Sequence, residues 1–174
     1  MITGPSPNAR TIAVMLIGVV EPWKLAAVLA AGFLVGSIPF GLLIARSKGI
    51  DIRKHGSGNI GATNVGRVLG RRYFLLCFVL DMLKGLLPVL AAGAVLGTLG
   101  RFDLSTAQSF SWLAAVIAPV LGHVFSPWLR FKGGKGVATG LGALLGLFPA
   151  LTIPAGLAFL TWAIAIAATR FMSL

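Results

Sequence analysis

The sequence predicts an all-α, polytopic integral membrane helix bundle. Three observations predict it. Of 174 residues, 57% are apolar and only 11% charged, with mean hydropathy +0.94; soluble domains carry about a quarter charged residues. Apolar runs of bilayer-crossing length recur along the chain. The basic residues gather between those runs and not within them. A chain of this length fits one domain.

The elements follow in order. Residues 1–22 read as an N-terminal extension, either disordered or misassigned, with Met15 an alternative start. Arg10 and the apolar residues after it resemble a signal peptide faintly, but no A-x-A cleavage site follows. Residues 23–174 form the transmembrane domain. Lys24–Ala45 supplies 22 mostly apolar residues, about 33 Å as a helix. Tyr73–Leu99 is a second run, interrupted by Asp81, Lys84 and by Pro88, a potential kink. Phe110–Leu129 is a third. Val137–Phe148 has only 12 residues, roughly 18 Å against a hydrocarbon core of about 30 Å. It must borrow from its flanks, thin the bilayer or form a half-helix. Ala150–Thr169 is long enough to span. Five passes result.

Charge orients them. Segment 46–72 carries Arg46, Lys48, Arg53, Lys54, Arg67, Arg71 and Arg72; segment 130–136 carries Arg130, Lys132 and Lys135; Arg170 follows the last run. The opposite side has Arg10, Lys24 and Arg101. The positive-inside rule therefore puts both segments in the cytoplasm and the N-terminus outside. A net charge of +11 fits anionic headgroups. Nucleic acid is a poor partner, because lipid-length spans interrupt the basic residues. The single cysteine, Cys77, forms no internal disulfide.

Each cytoplasmic segment contains a glycine-rich stretch, and no acid falls between His55 and Arg72 or around Lys135. In "HGSGNIGATNVGR" (55–67), Gly56, Gly58, Gly61 and Gly66 stand among Ser57, Asn59, Thr63 and Asn64. In "RFKGGKGVATG" (130–140), Gly133, Gly134 and Gly136 surround Lys135, with Lys132 and Thr139 nearby. Glycine lets backbone N–H groups approach a ligand. Such groups, with amides, hydroxyls and cations and no competing anion, suit phosphate oxygens. A helix beginning after Gly136 would add its positive end. The bland alternative is two tight turns with basic lipid anchors.

Other chemistries find no support. Gly56, Gly58 and Gly61 spell G-x-G-x-x-G, but the charged "IDIRKH" before them is no buried strand. Gly134-Lys135 lacks the rest of a Walker A loop. There is no G-x-S-x-G elbow, and neither His55 nor His123 has an Asp five residues on. Two histidines, one cysteine and scattered acids build no metal site. Asp81 and Lys84 lie three apart on one helix face. Each costs about 2.5–3.5 kcal/mol at a bilayer centre on insertion scales. They are expected to pair or to face a polar cavity, as site candidates. His123, near the end of the third span, reads as a packing residue or a site residue.

Longer motifs carry a resemblance. "GSIPFG" (36–41), "DIRKHGSGNIGATNVGRVLG" (51–70), "DMLKGLLP" (81–88) and "GHVFSPWLRFKGGKGVATG" (122–140) closely resemble the bacterial acyl-phosphate:glycerol-3-phosphate acyltransferase (PlsY) family. The likeness runs from about Lys24 to the C-terminus. It implies a multi-pass enzyme of the bacterial inner membrane with its active site facing the cytoplasm. Such an enzyme moves a fatty acyl group from acyl phosphate to the 1-hydroxyl of glycerol 3-phosphate, giving lysophosphatidic acid. The resemblance implies no metal, coenzyme A or other cofactor. The partners it implies are the two substrates, membrane lipid and an acyl-phosphate-producing enzyme. Carried over by motif, Ser57, Arg67, His123 and Lys135 are catalytic candidates. Gly56, Gly58, Asn59, Gly61, Thr63, Asn64, Asp81, Lys84, Lys132, Gly133, Gly134, Gly136 and Thr139 are substrate-binding candidates. The family continues past "RFMSL" (170–174) through two more spans, seven in all, with an Arg-His pair, a nearby Asn and a serine soon after the "SL". The domain 23–174 is read as lacking those spans, which bears on activity. The competing readings are a transporter of phosphorylated compounds, a lipid-binding subunit and an inactive truncated paralogue.

Overall fold

The computed structural model describes residues 20–169. Expectations resting on residues 1–19, including Arg10 and Met15, and on Arg170, lie outside the described residues. Every regular element among the described residues is helical. Helix α1 spans Pro22–Gly36 and starts on a proline, whose missing N–H costs nothing there. Helix α2 spans Phe40–Arg46. The apolar run 24–45 is thus not one helix. Pro39 has no N–H to donate and biases Ile38 away from helical dihedrals, so the chain breaks at Ser37-Ile38-Pro39. A 3-10 turn follows at Ile52–Lys54. Helix α3 spans Ala62–Leu69 and α4 spans Arg71–Leu96. Pro88 sits inside α4 without ending it.

Helix α5 spans Thr106–Val124. Its start is held by a capping box, in which the Ser105 hydroxyl accepts from Gln108 N and the Gln108 side chain accepts from Ser105 N. A second 3-10 turn covers Pro127–Leu129. Helix α6 is Val137–Leu145, nine residues, about 13 Å: of the options open to the short run 137–148, the half-helix is the one seen. Helix α7 spans Thr152–Thr169, 18 residues, about 27 Å. Among the described residues, three segments, Pro22–Arg46, Arg71–Leu96 and Thr106–Leu129, are long and apolar enough to cross a membrane.

Glycine lets these helices touch backbone to backbone, the packing that serves in lipid, where apolar burial drives nothing. A Cβ on Gly36 would strike the Pro119 backbone, and one on Gly122 the Phe33 carbonyl, so α1 and α5 cross closely. Helix α6 lies equally close to α4. A Cβ on Gly85 would strike the Thr139 carbonyl, and one on Gly142 the Met82 carbonyl. Between α4 and α5, Trp112 packs flat against Gly93 and donates from Nε1 to the Val89 carbonyl at 3.3 Å.

The buried cluster of Leu42, Ile44, Ile52, Ile60, Val65 and Cys77 also contains Leu129. Ile60 belongs to the first glycine-rich segment and Leu129 directly precedes the second. Both segments therefore lie at one end of the bundle. At the other end, Gly100 N donates to the Phe148 carbonyl at 3.0 Å, tying the α4–α5 and α6–α7 connections together.

Candidate functional site

The first loop is built around one amide. Asn64 is 2% exposed. Its Oδ1 accepts from Ser57 N at 2.9 Å; its Nδ2 donates to the carbonyls of Asn59 at 2.8 Å, His55 at 3.0 Å and, longer, Ile52 at 3.4 Å. Gly56 and Gly58 have φ of +58° and +72°, so the loop can curl around that side chain without strain. Asn59 Oδ1 accepts from Gly61 N at 2.8 Å, setting the start of α3. Asn64 thus shapes the loop from inside, and its amide is fully engaged there. Ser57, Thr63 and Arg67 are exposed. Asn64→Ala removes the peg and strands several loop groups, a cost of about 1–3 kcal/mol. Trypsin cleavage after Arg53 or Lys54 is then expected to quicken by about 5- to 150-fold. Unchanged cleavage would show that the amide holds nothing.

The second loop is built around a histidine. His123, 4% exposed, sits in the last turn of α5. Gly134 lies flat against its Nε2, where a Cβ has no room. Gly134 N donates to the His123 carbonyl at 3.2 Å and Gly133 N to the Val124 carbonyl at 2.9 Å. Gly136, at φ +76°, turns the chain into α6. Lys132 and Lys135 are exposed. The entry to the loop is forced: Arg130 and Phe131 both have positive φ, 53° and 62°, a region that residues with side chains seldom adopt.

Behind the loops lies a buried polar cluster. Asp81 and Lys84, each 3% exposed, pair at 2.7 Å. Lys84 Nζ donates to the Ile38 carbonyl at 2.6 Å and lies 5.6 Å from the Phe40 ring centre. Cys77 Sγ donates to Asp81 Oδ2 at 3.7 Å. His123 Nδ1 is 3.9 Å from Asp81 Oδ1 and 3.3 Å from Thr139 Oγ1. Losing one partner of such a pair typically costs about 3–5 kcal/mol. Asp81, Lys84, His123 and Thr139 are therefore enclosed together, whereas Ser57, Thr63, Arg67, Lys132 and Lys135 face outward.

Three residues outside the sequence-based set complete the frame. Ser126 Oγ donates to the Ser37 carbonyl at 2.7 Å, Trp128 Nε1 donates to Ser37 Oγ at 2.9 Å, and Ser37 Oγ donates to the Leu34 carbonyl at 2.6 Å. The break before Pro39 thus holds the segment leading into the second loop. Small polar residues beside a proline in an apolar run were the available signal.

Each of the four acids is paired with a neighbouring cation. Glu21 meets Lys24 at 3.0 Å, Asp51 meets Arg53 at 2.6 Å, Asp81 meets Lys84 and Asp103 meets Arg101 at 2.9 Å. The Arg53 guanidinium holds the Asp51 carboxyl well below the usual carboxylate range. Arg53 is thereby neutralised, while no carboxylate comes within ion-pair distance of Arg67, Lys132 or Lys135 among the described residues.

The fold and site define an integral membrane helix bundle with two acid-free glycine loops over a buried ion pair. The glycerol-3-phosphate acyltransferase family model matches residues 26–174, and the chain belongs to that family. It is 56% identical over 122 residues to the glycerol-3-phosphate acyltransferase of Geobacter metallireducens, covering 70% of this chain and 57% of that one. With the enzyme of Geobacter sulfurreducens the identity is 49% over 146 residues, 83% of this chain and 68% of the relative. Among solved structures it is similar to PlsY, an integral membrane glycerol 3-phosphate acyltransferase, in its glycerol 3-phosphate form. The TM-score is 0.72 at 39% identity, over 84% of this chain and 68% of that one. The lysophosphatidic acid form gives 0.65 at 40% identity, over 82% and 64%. The chain thus spans a little over half to about two thirds of the lengths it matches.

Proposed function

We propose that the chain transfers a fatty acyl group from acyl phosphate to the 1-hydroxyl of glycerol 3-phosphate, releasing inorganic phosphate and lysophosphatidic acid. The observation that carries this reading is the joining of both acid-free loops at one end of the bundle through the Ile60–Leu129 cluster. Both substrates bring phosphate, and one also brings a lipid tail suited to a helix bundle. An acyl phosphate is already activated. The hydroxyl oxygen attacks the acyl carbonyl carbon, the bond from that carbon to the phosphate oxygen breaks, and the hydroxyl proton passes to a phosphate oxygen. No covalent enzyme intermediate is needed. The protein brings two anions together and stabilises the charge that grows between them. Loop N–H groups, Ser57 and Thr63 hold phosphate oxygens, while Arg67, Lys132 and Lys135 supply charge.

Ten basic residues, from Arg46 to Arg72 and Arg130 to Lys135, lie in the segments at the loop end, against Lys24 and Arg101 at the other. That asymmetry supports a cytoplasm-facing site; in this reading the membrane is the bacterial inner membrane and a separate enzyme supplies the acyl phosphate. The test is purified protein in liposomes with synthetic palmitoyl phosphate and labelled glycerol 3-phosphate. Labelled lysophosphatidate with equimolar phosphate is expected, and none from palmitoyl coenzyme A. Uptake of the label into the lumen without acylation would sink the reading in favour of transport.

A further inference from the structure

We propose that Lys84, Asp81, His123 and Thr139 form a membrane-embedded positioning chain that holds the second glycine loop in place. None of the four touches substrate. The proposal deepens the acyl-transfer reading and rests on it for its kinetic consequence only.

The contacts run in one line across four elements. The Ile38 carbonyl, freed by the break before Pro39, accepts from Lys84 on α4. Lys84 pairs with Asp81 one turn earlier. Asp81 faces His123 on α5, and His123 faces Thr139 on α6. All four side chains are at most 4% exposed, with Thr139 at 0%. Thr139 is three residues past Gly136, in the first turn of α6, so its position sets where that helix begins. His123 meets the loop from the other side, with Gly134 on its Nε2 and on its carbonyl. The exposed Lys135 thus lies between two points that the chain fixes, Gly134 and Thr139.

Bundle packing alone explains this cluster poorly. The α4–α6 crossing is already set by Gly85 and Gly142, which need no polar side chains. Charged groups in lipid are costly and persist where they have a use. What the polar line adds is direction. A 1 Å displacement of a catalytic group costs up to about 100-fold in rate, and glycine-rich backbone has little stiffness of its own.

The experiment reads the loop directly, by hydrogen–deuterium exchange of full-length protein in lipid nanodiscs. Thr139→Val keeps the shape and removes the hydroxyl; Asp81→Asn keeps the shape and removes the charge. Both are expected to raise exchange in residues 132–136 at least about fivefold, since each gives up about 1 kcal/mol or more of local order. In Thr139→Val, which leaves the Asp81–Lys84 pair intact, exchange in α4 and α5 stays unchanged. Thr139→Ser, which restores the hydroxyl, keeps the loop protected. In the acyl-transfer assay, Thr139→Val is expected to lower kcat about tenfold with KM moved far less. Unchanged loop exchange in both variants would overturn the proposal. So would a rise shared by all the helices in Thr139→Val, which would mark mere structural support. If the wild-type protein showed no acyl transfer, the functional reading would fall and the exchange result would still decide this one.

Discussion

Lys135→Ala is expected to lower acyl transfer about 10²–10³-fold, with the protein still folded. The size follows from where the residue stands. Lys135 is exposed, lies between Gly134 and Gly136, and has no carboxylate within ion-pair distance among the described residues. Its ammonium therefore stabilises nothing in the resting fold, so removing it leaves helix packing alone. In the reaction, negative charge grows on the attacked carbonyl oxygen and on the departing phosphate. A cation held beside that charge by the flanking glycine backbone stabilises it as it grows. The pattern of the loss matters as much as its size. Equal falls in kcat and kcat/KM would mean that the charge acts in the transition state. A raised KM with kcat intact would mean that it only holds substrate. Near-normal turnover would refute both roles.

The second large effect is on the fold. Gly142→Ala and Gly140→Ala lie two residues apart on α6 and are expected to act in opposite directions. A Cβ at 142 would strike the Met82 carbonyl and come 3.1 Å from Leu86 N, both α4 backbone. Backbone cannot rotate away, so the helices must part, at a cost of about 1–3 kcal/mol or more. Parting them also draws Thr139 from His123. At Gly140 the nearest atom to an added Cβ is Val120 Cγ2 at 4.0 Å, an ordinary contact. There alanine improves helix propensity by up to about 1 kcal/mol. Thermal unfolding in detergent should show the midpoint falling for Gly142→Ala and holding or rising for Gly140→Ala. If both moved alike, α6 would not be docked through that face.

Much of this architecture could be read from hydropathy. The runs 24–45, 73–99 and 110–129 correspond to α1 with α2, to α4, and to α5 with the 3-10 turn after it. The break at Ser37-Ile38-Pro39 was hidden, because a window average does not register one proline among apolar neighbours. Helix α3 was hidden too. Its glycine, asparagine and threonine spell a loop, and it is helical because Ala62, Asn64 and Val65 are buried against the rest of the loop end. The capping spacing Ser105–Gln108 was there to be noticed. At the site, residue type pointed to phosphate chemistry but not to which groups face outward. Asn64 and His123 look like ligand contacts in a string of letters. Only the fold reveals that Asn64 fills the inside of its loop and that His123 lies buried against Gly134 of the other.

The local pairing of all four acids reaches beyond the site. Cations outnumber acidic side chains by eleven, and every acidic side chain is already paired with a neighbour. Electroneutrality has to be borrowed from the surroundings, and the nearest lenders are anionic headgroups. A bilayer of neutral lipid leaves the nine unpaired cations of the two loop segments crowded at one rim of the bundle, whereas an acidic bilayer relieves them. The lipid composition of the host membrane thereby becomes a determinant of how firmly this protein holds its shape.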